Sequence, residues 1–530
     1  MNRIERLWGT NYFLFLILAL LALVYHHWQI ISAPFPLDYY EGTTLLITQI
    51  FAEGGNPYTR EYQPGAMYVY PPLFNLLVAP LTWFVDNDLI LHRTVCGVFI
   101  LASCLLVARA VLDCGADLID ALAAACTFYA ALLFYATPIS STNAMGVFLF
   151  LTILYLPWRA SFSLGSLVLA TLLGVAAFYS KQYFILAVGL VGAYVFIYQS
   201  MLRAMAMGLL FVTLVVSSLW IVNLTSPYYL DNTLFSTAIS TALLQNTETA
   251  VLQYTKFLWL YWPLLLLALY QLYLTVHGPG GQGLLSLIKP GIRSVAEHRG
   301  TLYFWFCLAL SAVIVFFSLA RNPGNYLTYL FQLLSPLLLI GVFGGMSKLR
   351  VGRRYVALPV LLCLYMGWSL LPQDFSTTEA GWKRVDELVS QEENILASQI
   401  LITDLLRHDR RVFQDGHTFY FPLAAEKPHW FFKDAKEDTV KQIWSSYLTG
   451  LYRDIERQHF DLIVVSPWDF HGIFVVNPPP FSTLTGPKFL KKFYYMDEQF
   501  PLSMTERHGG GTYNMKVWRP RPKPKVASSH

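Results

Sequence analysis

Charge is scarce in this chain of 530 residues: Lys and Arg number 37 and Asp and Glu 33, together 13%, against 55% hydrophobic and 16% aromatic residues. So small a charged fraction cannot solvate so much apolar sequence, which excludes a soluble globular protein and predicts a polytopic membrane protein. The net charge of +4 is scattered, with no basic patch interleaved with aromatics, so no nucleic-acid partner is expected. Cysteine is thin as well. The six, Cys96, Cys104, Cys114, Cys126, Cys307 and Cys363, lie in or beside apolar runs without CxxC spacing, and so suggest neither a zinc site nor a disulfide framework. No internal repeat is found, and no small-residue cleavage site follows the first apolar run, which is also too long for a signal peptide.

What is present is a series of long apolar runs. The first, Tyr12 to Ile31, is followed by runs at 89–110, 118–136, 143–158, 164–180, 182–199, 204–224, 255–276, 301–320, 327–346 and 355–372. Together they predict about eleven transmembrane helices. An odd number puts the termini on opposite sides. Arg3, Arg6, Arg109, Arg159, Arg203, the Lys289–Arg299 loop and the Lys348–Arg354 loop fall on one side. The other side carries only Arg60, Lys181 and Arg321, with Arg93 and Lys256 near helix ends. That asymmetry places the N-terminus in the cytoplasm.

The first outer loop, 32–88, is long for a compact membrane protein, as functional loops are. It contains Pro71 to Val85, apolar but short of a full span, expected as an interfacial or re-entrant helix with Pro in its first turn. From about Gln373 the composition turns polar. Residues 373–518 are expected as a small extracytoplasmic α/β domain, with a helix over Glu379–Arg407 and strands at Arg411–Phe413 and Phe460–Val465. Residues 519–530 read as a disordered basic tail, the transmembrane part being 1–372.

The scarce charges mark the candidate site. Asp38-Tyr39-Tyr40-Glu41 follows the first span; its acids are either the polar cap of a helix end or, on one helical face at i, i+3, a general base for an acceptor hydroxyl. Lys181 interrupts an apolar stretch, either as a snorkelling lysine or as a phosphate ligand. Arg321-Asn322-Pro323-Gly324-Asn325-Tyr326 is either a tight turn or a second phosphate ligand, suited by the forked donors of Arg. Ser140-Ser141-Thr142-Asn143 reads first as a helix N-cap and second as a substrate contact. Turns at Gly54–Tyr58 and Tyr68–Pro72 aim aromatic rings, either for sugar stacking or for interfacial anchoring. Asp415, His417, His429, Asp469 and His471 match no standard metal-ligand spacing, and Gly509–Gly511 lacks the strand-to-helix context of a phosphate loop.

With these residues placed, the chain resembles the GT-C superfamily of polyprenyl-phosphate-sugar-dependent glycosyltransferases, the group of the protein O-mannosyltransferases and lipid A aminoarabinose transferases. The resemblance covers about residues 10 to 345. It rests on the order of an N-terminal span, Asp38-x-x-Glu41, Tyr70-Pro71-Pro72-Leu73-Phe74, the Ser/Asn-rich helix start at 140–143, Ser180-Lys181-Gln182, and Arg321 to Tyr326. It implies Asp38 as catalytic base with Glu41 as second acid, Lys181 and Arg321 on the donor phosphate, and Tyr40, Tyr70, Asn143, Gln182, Asn325 and Tyr326 as substrate contacts. Two positions depart from several relatives: Tyr70 stands where they have lysine, and Asn143 where they have an acid. The first puts more of the phosphate binding on Lys181 and Arg321.

The implied reaction moves a monosaccharide, with inversion, from a polyprenyl-phosphate donor to an acceptor hydroxyl on lipid, glycan or protein, on the extracytoplasmic side; a bacterial inner membrane with undecaprenyl phosphate as carrier is the expected setting, and a eukaryotic ER membrane with dolichol the alternative. No cofactor or metal is required. A transporter or flippase for a lipid-linked or small polar substrate is the alternative; such proteins place their charges near the midplane between repeated halves, whereas here they gather at one face.

Overall fold

In lipid the backbone must satisfy its own hydrogen bonds, which an apolar run does by forming a helix. A computed structural model describes residues 3–38, 40–134, 139–235, 246–277, 301–321, 328–349, 353–369, 376–413, 435–466, 486–503 and 512–522. Each apolar run lies on a helix. These are α1 (Arg3–Ser32), then, after α2 (Glu41–Ala52) and α3 (Leu73–Val78) in the first loop, α4 (Leu89–Asp113), α5 (Leu118–Phe134), α6 (Asn143–Arg159), α7 (Leu164–Ser180), α8 (Leu186–Tyr198), α9 (Met201–Thr225), α10 (Thr247–His277), α11 (Leu302–Arg321), α12 (Ser335–Leu349) and α13 (Arg353–Ser369). Four segments, Gly9–Ser32, Leu89–Asp113, Met201–Thr225 and Leu302–Arg321, are long and apolar enough to cross a bilayer by themselves.

The bundle is turned outward for lipid. Leu18, Leu105, Leu209 and Trp220 are all at least 65% exposed, on helices whose other faces pack inside. Apolar surface on that scale is stable against acyl chains rather than water, and the protein is a multi-pass membrane protein. Inside, Gly146 on α6 admits the Phe184 ring so closely that a Cβ would lie 1.8 Å from it. This contact seats the 3-10 turn Gln182–Ile185 that follows Lys181.

The segment Pro71–Val85 is helical but short, as α3 followed by a 3-10 turn over Ala79–Trp83. Its Trp83 and Phe84, 71% and 84% exposed, suit an interfacial anchor.

Beyond the bundle come α14 (Ser376–Gln391), β1 (Ile395–Ala397), α15 (Ile402–Arg407), α16 (Ala435–Glu456), β2 (Leu462–Val465), α17 (Gly486–Phe493), β3 (Tyr494–Ser503) and β4 (Thr512–Pro520). The sheet order is β1-β2-β4-β3. β1 pairs parallel with β2 at Ile395 and Leu462, and β4 runs antiparallel to β2 and β3, with a bulge between Met496 and Glu498. All four β2 residues are buried, as a strand covered on both faces must be.

Three expectations change. Arg519 and Pro520, read as the start of the disordered tail, instead pair with β3 as the end of β4, and Arg519 is held by Glu392 and Asp497. The helix over Glu379–Arg407 is two helices with β1 between them, because Ile395–Ala397 gains a strand partner 67 residues away. Arg411–Phe413 is not a strand; it is irregular chain whose Phe413 packs edge-on against Phe460.

This domain rests on the first loop. Trp382 of α14 stacks on Phe35 at 6.5 Å, Arg407 donates to the Pro34 carbonyl at 2.6 Å, and α15 abuts α2 at Gly42, where a Cβ would lie 2.8 Å from Ile402. The domain therefore lies at the end of the bundle from which Ser32 emerges, opposite Arg3.

Candidate active site

The two acids of the first loop, three residues apart, have different surroundings. Glu41, fully buried at the start of α2, accepts Arg93 Nε at 2.8 Å and Nη2 at 2.7 Å. It also accepts the N–H groups of Leu37 (2.7 Å), Ser140 (2.9 Å) and Asp38 (3.4 Å). Burial pushes its carboxyl up, but the Arg93 guanidinium and these N–H donors outweigh burial and hold it below its ordinary range. Arg93, itself fully buried, spends its remaining donors on the carbonyls of Ile30, Ala33 and Phe35. The pair thus ties together the end of α1, the Asp38 segment, α4 and the entry to α6.

Asp38 is 8% exposed, and its Oδ1 accepts the Tyr40 N–H at 2.9 Å. Burial dominates and pushes the carboxyl up to about 7, against the smaller pull of the Tyr40 N–H and Lys181. A carboxylate poised near neutrality is matched to proton abstraction at physiological pH.

Lys181 sits in the break between α7 and the 3-10 turn. Its Nζ donates to Asn143 Oδ1 at 3.0 Å and stands 4.6 Å from the Tyr70 ring, 5.4 Å from Tyr183 and 5.8 Å from Tyr329. Ring faces attract the ammonium without consuming a proton. Burial lowers its pKa to about 8, with Asp38 opposing that fall. Tyr183 is held in turn by its hydroxyl, which donates to Gln332 Oε1 at 2.8 Å. Tyr40 meets Tyr70 edge-on at 6.4 Å, and Gln182 Nε2 donates to the Thr233 carbonyl at 3.0 Å.

Tyr183 and Tyr329 also line an apolar cavity of about 260 Å³, whose other walls include Ile185, Leu186, Val315 and Leu333. Two of the three rings around the Lys181 ammonium therefore also form part of the wall of an apolar cavity. That pairing fits an amphiphile with an anionic head.

Of the residues singled out from sequence, the structure gathers Asp38, Tyr40, Tyr70, Asn143, Lys181 and Gln182 into this region, with Glu41 beneath it. Arg321 ends α11 as an exposed side chain, two residues beyond the cavity-lining Leu319, and is not among the groups around Lys181. Asn325 and Tyr326 lie outside the described residues, as do Asp415, His417, His429, Asp469 and His471. Among the described residues no three His, Cys, Asp or Glu side chains form a group able to hold a metal.

Arg93, Tyr183, Tyr329 and Gln332 were not singled out from the sequence. Arg93 carried a usable signal, a lone cation beside an apolar run with the first-loop acids available as partners. The tyrosines carried none, being two among 32.

No protein-family model matches the chain, and no curated protein does. Among solved structures it is similar to ArnT from Cupriavidus metallidurans bound to undecaprenyl phosphate, at 11% identity and a TM-score of 0.46, over 96% of this chain and 99% of that one. It is similar to the same protein in the apo state at 10% identity and a TM-score of 0.46, over 97% of this chain and 100% of that one.

Proposed function

We propose that the chain is a GT-C glycosyltransferase, moving a monosaccharide from a polyprenyl monophosphate to an acceptor hydroxyl on the extracytoplasmic face of a bacterial inner membrane. In this reading eleven helices cross the bilayer, the N-terminus is cytoplasmic, and the C-terminal domain and first loop are outside. The carrier is undecaprenyl phosphate. The observation that carries the proposal is the neighbourhood of Asp38 and the caged Lys181, two of whose rings, Tyr183 and Tyr329, line an apolar cavity.

The chemistry follows from those groups. Asp38 takes the proton of the acceptor O–H as that oxygen attacks the anomeric carbon. The bond between that carbon and the phosphate oxygen breaks, and the lipid phosphate leaves with the electron pair. Lys181, fixed by Asn143 and the tyrosines, meets the negative charge that grows on the phosphate, an effect strengthened by the low local dielectric. A single displacement inverts the anomeric centre. Tyr40 and Tyr70 offer ring edges and faces to the sugar, Gln182 and Asn143 offer amides, and Arg321 with Asn325 and Tyr326 meets the carrier at the membrane surface. The isoprenoid occupies the cavity.

The test is transfer from a radiolabelled undecaprenyl-phosphate sugar in membranes containing the protein. Consumption of the donor by wild type, lost in Asp38→Asn and Lys181→Ala at matched folded protein, supports the assignment. If no polyprenyl-phosphate sugar is consumed, the transporter alternative replaces it.

A further inference from the structure

The C-terminal sheet grips the candidate site with both faces. Residues alternate sides along a strand, and β2 shows it. Ile463 and Val465 belong to one buried cluster, Leu462 and Val464 to another. The first cluster contains Met67 and Val69 of the first loop, 0% and 4% exposed, packed with Leu396 of β1 and Trp444 and Leu448 of α16. The second contains Ile30, Ala33, Phe35 and Leu37, packed with Trp382 and Val385 of α14 and with Leu401.

Each gripped segment leads directly to a site residue. Leu37 precedes Asp38, and Phe35 is the residue whose carbonyl Arg93 holds at 3.0 Å. Along 66–70 the side chains alternate: Met67 and Val69 enter the sheet's cluster, while Ala66 and Tyr68 turn the other way to pack with Tyr58 and Tyr229. Tyr70 follows, its ring 4.6 Å from Lys181 Nζ and its carbonyl held by the Tyr58 hydroxyl. Phe413 closes the same grip: its carbonyl lies 3.2 Å from where a Cβ on Gly65 would sit and accepts the Tyr447 hydroxyl at 2.9 Å.

We infer that the C-terminal domain is a clamp rather than a detachable acceptor-binding module. Its sheet fixes the Asp38 segment against one face and the Tyr70 segment against the other, and so sets their separation. Met67 and Val69 on one side, and Phe35 and Leu37 on the other, are then positioning residues. Met67 and Val69 act through Tyr70 on the cation site; Phe35, held by Trp382, acts through the Asp38 segment on the base. This rests on the transferase reading above.

The two grips have separable readouts in the full-length protein. Met67→Ala and Val69→Ala are expected to weaken binding of undecaprenyl phosphate about threefold to tenfold, within the range of one cation–π contact. In a Tyr70→Ala background they should cost less than about twofold more, because residues acting through one group are not additive. Met67→Leu should restore binding, and the acid limb of the pH profile of kcat/KM should stay in place. Trp382→Leu should do the reverse, moving that limb below the wild-type value as Asp38 gains solvent while leaving undecaprenyl phosphate affinity intact. Phe489→Leu, in the same core against Tyr452, is a cavity control and should move neither.

Effects of Met67→Ala that add fully to Tyr70→Ala, an identical loss in Trp382→Leu and Met67→Ala, or wild-type behaviour of both would overturn the clamp. If wild type neither binds undecaprenyl phosphate nor transfers sugar from it, the transferase reading fails and the clamp fails with it. A working wild type with indifferent variants removes the clamp alone.

Discussion

Asp38 and Glu41 belong to the same short segment, yet Glu41 sits in a finished junction and Asp38 beside a caged cation. Glu41 has a bidentate arginine and three backbone N–H groups within reach. Such a carboxylate is ionised, immobile and saturated, suited to holding four pieces of chain together. Asp38 is buried with, among the described residues, one backbone donor to its Oδ1, and burial pushes its pKa up to about 7. Satisfaction makes a buried charge structural, and its lack makes the charge available for chemistry. Sequence spacing alone made these acids a pair; their surroundings give them different work.

Breaking the junction should have the largest consequence. Arg93→Ala leaves Glu41 buried without its partner, a loss of about 3–5 kcal/mol. Thermal unfolding should reveal this, and activity should disappear with the folded protein. Asp38→Asn should separate the two acids most sharply: turnover falls about 10²- to 10⁴-fold, the usual worth of a general base, while stability does not fall. The sign follows from the raised pKa. Folding disfavours the charged form of Asp38, so that penalty grows as pH rises from the ordinary carboxylate range through about 7. The neutral amide avoids it, and the variant should be at least as stable as wild type at pH 8.

The next effect down concerns the cation. Lys181→Ala should lower kcat/KM for the lipid donor about 10- to 100-fold, and Lys181→Arg should recover part of this, because charge is kept while the cage geometry is not. A pH profile of kcat/KM sharpens the comparison without mutation. Asp38 must be ionised, so the rate should fall about tenfold per unit well below pH 7; Lys181 must be protonated, so it should decline above about 8. Asn143→Ala should be mildest, a few-fold at most, since the tyrosine rings still hold the ammonium after the 3.0 Å hydrogen bond is gone.

The elements whose signals are local were legible in the sequence. Apolar runs became helices, and the Phe460–Val465 run yielded a buried strand over Leu462–Val465. The errors come from long-range pairing. β1 was hidden because three residues become a strand only beside Leu462–Val464. The role of Glu41 was hidden because Arg93 is 52 residues away. The Lys181 cage draws rings from α3's approach, the 3-10 turn and the segment before α12, and no spacing rule joins those three.

The proposed division of labour, Asp38 as base and Glu41 as junction, is tested most directly by turnover. The direct measurement is sugar transfer from radiolabelled undecaprenyl-phosphate sugar by wild type and Asp38→Asn, purified and compared at equal folded fraction. Wild type is expected to consume the donor, and Asp38→Asn, equally folded, to bind it but turn over at least about 10²-fold more slowly. Equal turnover by the two proteins would contradict that division.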